Sequence, residues 1–173
     1  GMDTGPILSQ VEIEIDKDET TSTLRAKMLD CGLPLLLNTI SGFVDGEIEP
    51  KEQKGEATYT KLIKKEYGQI DFSKSAKDEE RKLRAFNEWP GVFAFWNGKR
   101  IKILKIREGS QLISSDQFLE KKPGEVFLDD GGLCVKFKEG IWIIERLQME
   151  GKNEVSYSDF LNGNKAIVGD KLK

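Results

Sequence analysis

Hydrophobic and polar positions change rhythm several times along the 173-residue chain. Over residues 6–15, Val11, Ile13 and Ile15 alternate with Glu12 and Glu14, and Ile7 precedes them, which predicts a strand. The stretch DKDET then predicts a turn. Beyond it Leu24, Met28, Leu29, Leu36, Ile40, Phe43 and Val44 recur at helical spacing, with Thr20, Thr21 or Ser22 available as the cap. Pro34 lies inside this pattern and predicts a kink or a split near Cys31-Gly32. Leu35, Leu36 and Leu37 are consecutive, so the helix is apolar over a wide arc and needs partners on more than one side. One strand and one such helix cannot bury each other. They read as the last two elements of a larger sheet domain.

The stretch DGEIEPKEQKG reads as a loop and a domain edge. EATYTKLIKKEYGQIDFSKSA, polar and basic with scattered apolar positions, reads as an ordered connector. Ser75 is placed to cap a helix with Asp78 as its capping-box partner, and Pro90 must lie beyond the end of that helix. Leu83 and Phe86 would face inward, with Arg81 and Arg84 one turn apart on a shared face.

From Gly91 the period becomes two. VFAFW, Asn97-Gly98 and KRIKILKI form the strongest hairpin signal in the chain, with a type I′ turn. Ile101 and Ile103 share one face, whereas Leu104 and Ile106 share the other, a phase slip that predicts a β-bulge. EVFL, LCVKF and IWIIERLQ follow, separated by Asp129-Asp130-Gly131-Gly132 and by Glu139-Gly140, and SYSDFLNG predicts a short capped helix. Five short strands with a bulge and glycine turns predict a small OB-like barrel, closed or half-closed, within an α+β chain. The expected division is a strand–helix remnant at 1–50, a basic connector at 51–73 and the barrel domain at 74–173.

Composition narrows the chemistry. The chain contains no histidine, which removes the commonest general base from any mechanism. Its two cysteines, Cys31 in a helical pattern and Cys134 in a strand pattern, read as buried small hydrophobes in a reduced cytoplasm, and no metal site is expected. No apolar run has the length of a membrane span, and no secretory leader is legible; Gly1 ahead of Met2 reads as a residue added in cloning. The net charge of −3 conceals a strong asymmetry. Residues 1–53 carry a net −7, residues 54–107 a net +7 and residues 108–173 a net −3. A basic middle between acidic ends fits a polyanion-facing surface as well as it fits a set of solvated Lys/Glu faces.

Asp3-Thr4-Gly5 has two chemical readings. An aspartic protease would need a second such aspartate to share a proton, and no other Asp-Thr/Ser-Gly occurs in the chain. The other reading comes from a resemblance. MDTGPILSQVEI resembles the stretch of folate-dependent formyltransferases that carries the active-site aspartate. TLRAKMLDCGLPLLLNTI with GEIEPKEQ resembles the end of that catalytic domain. GEATYTKLIKKEYGQIDF, SAKDEERKLRAFNEWPGVFAFWNGKRIKI and LQMEGKNEVSYSDFLNG…VGDKL resemble the connector and C-terminal domain of the methionyl-tRNA formyltransferase family. Glu88 departs from that pattern, where proline is frequent.

The resemblance implies a fold that joins a Rossmann-like formyltransferase remnant to an OB-like C-terminal domain. It implies formyl transfer from 10-formyltetrahydrofolate to initiator methionyl-tRNA, with Asp3 in the place of the catalytic aspartate. The family's asparagine and histidine belong to a motif that this sequence does not contain, nor does it contain the folate site. The chain alone is therefore expected to lack transfer activity and to hold no cofactor. It is expected to keep the tRNA grip, through phosphate contacts from Lys61, Lys64, Lys65, Arg81, Lys82, Arg84, Lys99, Arg100, Lys102 and Lys105. Trp89, Phe93, Phe95 and Trp96 read as core rather than as base-stacking platforms. Two alternatives remain: a subunit completed in trans by a separate N-terminal half, and a module that self-associates through the orphaned strand and helix without either role.

Overall fold

The strongest local signal organises the folded chain. In the computed structural model, which describes residues 3–113, 115–129 and 132–173, strands β1 (Val92–Trp96) and β2 (Lys99–Ile106) meet across Asn97-Gly98. Both turn residues have positive φ, 48° and 75°, as a type I′ turn requires. Trp96 stands opposite Lys99 and Val92 opposite Ile103, so the two-residue turn sets the register of the whole ribbon. The predicted bulge lies between Ile103 and Ile106, where β2 slips against its other neighbour, β5 (Ile141–Met149). Strands β3 (Val126–Asp129), β4 (Gly132–Lys136) and β6 (Glu154–Ser156) complete an antiparallel sheet of order β1-β2-β5-β4-β3, with β6 also on β5. The short β6 was not expected. Of the loop expected between β3 and β4, Asp130 and Gly131 lie outside the described residues, as do Gly1 and Met2 at the N-terminus.

The chain divides into two units, Gly1–Leu62 and Ile63–Lys173. In the second, one face of the sheet holds the main core. Val92, Ala94, Trp96, Ile101, Ile103, Val126, Leu133, Val135, Trp142 and Leu147 pack there with Phe72, Ala76, Phe160, Ile167 and Leu172. On the other face Phe127, Cys134, Ile141 and Ile143 form a smaller cluster with Ile113 and Phe118. Strand β4 is buried along its whole length because both of its faces are covered.

Helix α2 (Ala76–Ala85) begins where expected, with the Ser75 hydroxyl accepting from the Asp78 N–H at 3.1 Å. The buried Trp142 Nε1 donates to Ala76 O at 2.9 Å and ties this helix start to β5. Helix α3 (Tyr157–Gly163) is capped in the same way by Ser156.

The α+β class holds, but the sheet is not a closed barrel: β1 and β3 do not pair with each other. The C-terminal stretch is bonded to both edges instead. Val126 N donates to Asp170 O and Leu172 N to Gly124 O, while Phe95 and Lys173 exchange both of their backbone bonds. Leu172 is carried into the core, and Trp96 Nε1 donates to the Asp170 carboxylate at 2.8 Å.

The first unit is built around helix α1 (Thr21–Val44), opened by a Thr20–Thr23 capping box. Of the kink or split expected at Pro34, the split does not occur: the helix runs through it as one element. Lys27 is ion-paired with Asp16 and Glu19, and this contact holds the Glu19 carboxyl below its usual range. Residues 6–15 do not form the expected strand. Their ladder contact is a single antiparallel bridge, Ile7 with Lys51. A strand exists only where a neighbour accepts its N–H groups, and among the described residues of this unit no second bridge forms. Cys31, expected to be buried, is exposed on α1, whereas Cys134 is buried and its thiol is pushed up to about 11 by desolvation.

Among the described residues of this unit no hydrophobic side chain is buried; the buried positions are Glu19, Thr39 and Gly42. Met28, Leu29, Leu33, Leu36, Leu37 and Ile40 are all more than half exposed along α1. No described helix is long and apolar enough to cross a membrane.

Candidate nucleic-acid interface

The hairpin register decides which side chains of the basic middle segment meet. Phe95 faces Arg100 across β1 and β2, and Phe93 faces Lys102. Lys102 in turn stands opposite Gln148 on β5. Alternation puts all five on the sheet face opposite Val92, Ala94, Trp96, Ile101 and Ile103. The Arg100 guanidinium lies over the Phe93 ring at 5.5 Å from its centroid, and the Phe93 and Phe95 rings meet edge to face at 5.7 Å.

The stretch before α2 walls this face. Ile70 N donates to Phe93 O at 2.8 Å, and Gln69 makes a parallel bridge to Phe93, so the 3₁₀ turn Lys65–Gly68 lies beside β1. Gly68 permits that approach: a Cβ there would stand 2.1 Å from Gly91 O. The Asp71 carboxylate accepts from both N and Oγ of Ser73, which holds its pKa below the usual carboxylate range and fixes the turn that leads into α2.

Two adjoining hollows result. One, of about 310 Å³, is lined by Lys65, Glu66, Gln69, Phe93, Phe95, Arg100 and Glu150. The other, of about 140 Å³, is lined by Arg100, Lys102, Gln148, Met149, Glu150 and Gly151. Arg100 and Glu150 border both. Glu150 is fixed by its backbone N–H, which donates to Arg100 O at 2.8 Å, and by its Oε2, which accepts from Arg100 N at 3.2 Å.

The ten basic residues singled out from the sequence therefore separate. Lys65, Arg100 and Lys102 are brought together at the hollows, and Lys99 is exposed beside Arg100 at the hairpin turn. Lys64 is exposed at the start of the same unit, and Lys61 is exposed in the first unit. Among the described residues Lys61, Lys64, Lys65, Lys99, Arg100 and Lys102 enter no ion pair. The others are engaged. Arg81 pairs with Asp78 at 3.1 Å, Arg84 with Glu80 at 2.6 Å and Lys105 with Glu145 at 2.9 Å. Lys82 points inward: its Nζ donates to Gln69 O at 2.7 Å and lies 2.5 Å from Oε2 of Glu79, in ion-pair contact without hydrogen-bond geometry. Glu79 is 1% exposed, so Lys82 is the counter-ion of a buried carboxylate.

The aromatic residues separate as well. Trp96 is core, Phe93 is buried beneath Arg100 away from the main core, Phe95 is half-buried on the wall of the larger hollow, and Trp89 is 56% exposed. The expectation that all four are core thus fails for Trp89 and needs amendment for Phe93 and Phe95. The signal was present in the sequence, because a two-residue turn after Trp96 fixes Phe95 opposite Arg100.

Asp3 sits at the exposed tip of a turn with φ 57°, and its carbonyl accepts from Gln53 Nε2 at 3.0 Å. The cavity described in its own unit is lined by Glu12, Asp16, Lys27, Asp30 and Cys31 and does not include it. These residues make no pocket for a folate.

The sequence profile described as formyl transferase, C-terminal domain, matches residues 62–165, more than half of the chain. The chain belongs to this family. Its curated relatives include proteins named methionyl-tRNA formyltransferase from Lachnospira eligens, 35% identical over 99% of this chain and 55% of that protein, and from Treponema denticola, 37% identical over 94% and 51%. The chain spans about half the length of the curated relatives it matches. Among solved structures, a variant of HypX from Aquifex aeolicus aligns at a TM-score of 0.64 and 20% identity, covering 97% of this chain and 30% of that one. A HypX structure in complex with tetrahydrofolic acid aligns at 0.59 and 19%, covering 92% and 28%. These likenesses extend over nearly all of the formyl transferase C-terminal unit and over the α1 unit before it.

Proposed function

We propose that this formyltransferase-family chain supplies the RNA grip of a methionyl-tRNA formyltransferase, with initiator methionyl-tRNA as its partner, in cytoplasmic translation initiation, and that it does not transfer formyl by itself. The observation that carries this reading is the group of cations without ion-pair partners among the described residues, Arg100 and Lys102 on the outer face of β1 and β2 with Lys65 beside them, in a chain whose relatives bear that name. Lys64, Lys65, Lys99, Arg100 and Lys102 act on phosphates; Lys61, in the preceding unit, is proposed as a phosphate contact in its own right. Arg81 and Lys105 contribute only to the extent that their surface ion pairs open, each of which is worth little, and Arg84 is held by its partly buried pair with Glu80. In this reading residues 1–50 are the remnant of a catalytic domain, 51–73 the connector and 74–173 the binding domain. The strands and the C-terminal stretch bonded to both sheet edges then form a barrel of OB-like kind.

A second reading has one observation in its favour, the exposed apolar side of α1. Such a face fits a separate formyltransferase half that completes the site in trans, with Asp3 in the composite centre. Titration of initiator tRNA at two salt concentrations, with formylation measured in the same samples, tests both readings. The first expects affinity to fall steeply with salt and no turnover. Lys99→Ala with Lys102→Ala should flatten the salt slope. The second expects turnover only after a relative's N-terminal half is added. Absence of salt-dependent binding refutes the RNA reading, and a purely dimeric chain that binds no RNA supports self-association through α1 instead.

A further inference from the structure

The larger hollow has a composition that phosphate binding does not explain. Its lining includes Glu66 and Glu150 as well as Lys65 and Arg100, and two of its walls are phenylalanine rings. A site built for a phosphate excludes carboxylates, because like charges repel at short range. A site built for a nucleobase uses them, since carboxylate and amide oxygens accept from exocyclic amines while an aromatic ring offers a stacking face. We propose that the hollow between the Lys65–Gly68 turn and the outer face of β1 and β2 takes one unpaired nucleobase of a bound RNA, stacked on Phe95. This rests on the RNA reading above and assigns a base-binding role within it.

The geometry supports that use in three respects. Phe95 is only half-buried, and the edge-to-face contact from Phe93 fixes the plane of its ring. Arg100 is held over Phe93 by the cation–π contact and borders both hollows, so a fixed charge is available to the phosphate of a base held there. Gln69 and Glu150 stand on opposite walls with their backbones pinned, by the bridge to Phe93 and by the bond to Arg100 O. A base held there is read by fixed groups at little ordering cost. The neighbouring hollow with Lys102 and Gln148 continues the same face and shares Arg100 and Glu150 with the larger one.

The test uses the full chain with a short labelled oligoadenylate and an RNA duplex of the same length, each titrated at two salt concentrations. Phe95→Leu is expected to weaken oligoadenylate binding by roughly ten-fold while leaving the salt slope unchanged, because no cation is lost. Phe95→Tyr, which keeps the ring, is expected to restore the affinity. With the unaltered protein the duplex should compete poorly, since its bases are not free to enter. If Phe95→Leu, shown to be folded by its melting curve, binds as tightly as the parent, the base site is wrong while the RNA reading stands. Equal binding of duplex and single strand by the parent overturns the proposal without relying on any variant. If neither RNA binds at low salt, the RNA reading and the base site fail together.

Discussion

Lys82 shows how a residue's role is decided by what stands beside it. As one of four basic residues on a short helix it reads as a phosphate ligand, and the sequence assigns it to the RNA surface. In the structure its side chain is 19% exposed and turned toward Glu79, whose side chain is 2% exposed. Two groups removed from water in this way are costly to separate, because the remaining charge stays desolvated. Replacing Lys82 by Met should therefore destabilise the second unit by about 2 kcal/mol, less than for a fully buried pair because the lysine keeps partial solvent access. Its effect on RNA affinity should be small beside that of Lys102→Ala. Denaturant melts and the two-salt titration check the two halves of this expectation. A Lys82→Met protein of parental stability that has lost RNA affinity would return the residue to the surface role.

Among the elements, the hairpin was legible and the closing of the sheet was not. Asn97-Gly98 tolerates positive φ at both turn positions, and the alternation on either side specifies one register, so local chemistry alone sets β1 and β2. The Ser75 and Ser156 caps were legible for the same reason, as contacts within a few residues. Strand pairing at residues 6–15 failed because alternation states that a segment can be a strand, not that a partner is present. Strand β6 is too short to carry a period, and the role of the C-terminal stretch depends on contacts with residues 44 to 78 positions away, from Val126 with Asp170 to Phe95 with Lys173. That stretch spans the gap between β1 and β3, and Leu172, at 2% exposure, anchors it in the core. Truncating a fully buried leucine costs both its transfer free energy and the cavity left behind, so Leu172→Ala should lose about 3 kcal/mol. Because the same stretch blocks the backbone groups of Phe95 and Val126, amide exchange at those two positions should accelerate with it. A Leu172→Ala protein that melts like the parent, with both amides still protected, would show that the edges close without the anchor.

At the scale of the whole molecule, the two units differ in what holds them together. The second has buried aromatic and aliphatic side chains on both faces of its sheet. Among its described residues the first buries Glu19, Thr39 and Gly42 and no apolar side chain, while its helix carries a row of exposed leucines. The sequence made this imbalance legible, since three consecutive leucines beside one strand exceed what that strand can cover. The candidate site was legible in its charge and, through the two-residue turn, in the pairing of Phe95 with Arg100, whereas the wall that Lys65–Gln69 adds beside them depends on a contact with β1 that no local pattern announces. A helix of this length without apolar burial is marginal in water, because burial rather than propensity supplies most of the stability of a helix. A fragment of residues 63–173 should therefore fold alone, with a cooperative melt close to that of the full chain. A fragment of residues 1–62 should show a broad, non-cooperative loss of helicity on heating and bind a hydrophobic dye. Circular dichroism melts of the two fragments and the parent decide it. A sharp transition in the 1–62 fragment at concentrations where it stays monomeric would mean that the unit buries more than its exposed leucines allow. A sharp transition that moves with concentration would instead show that the α1 face is satisfied by a second copy.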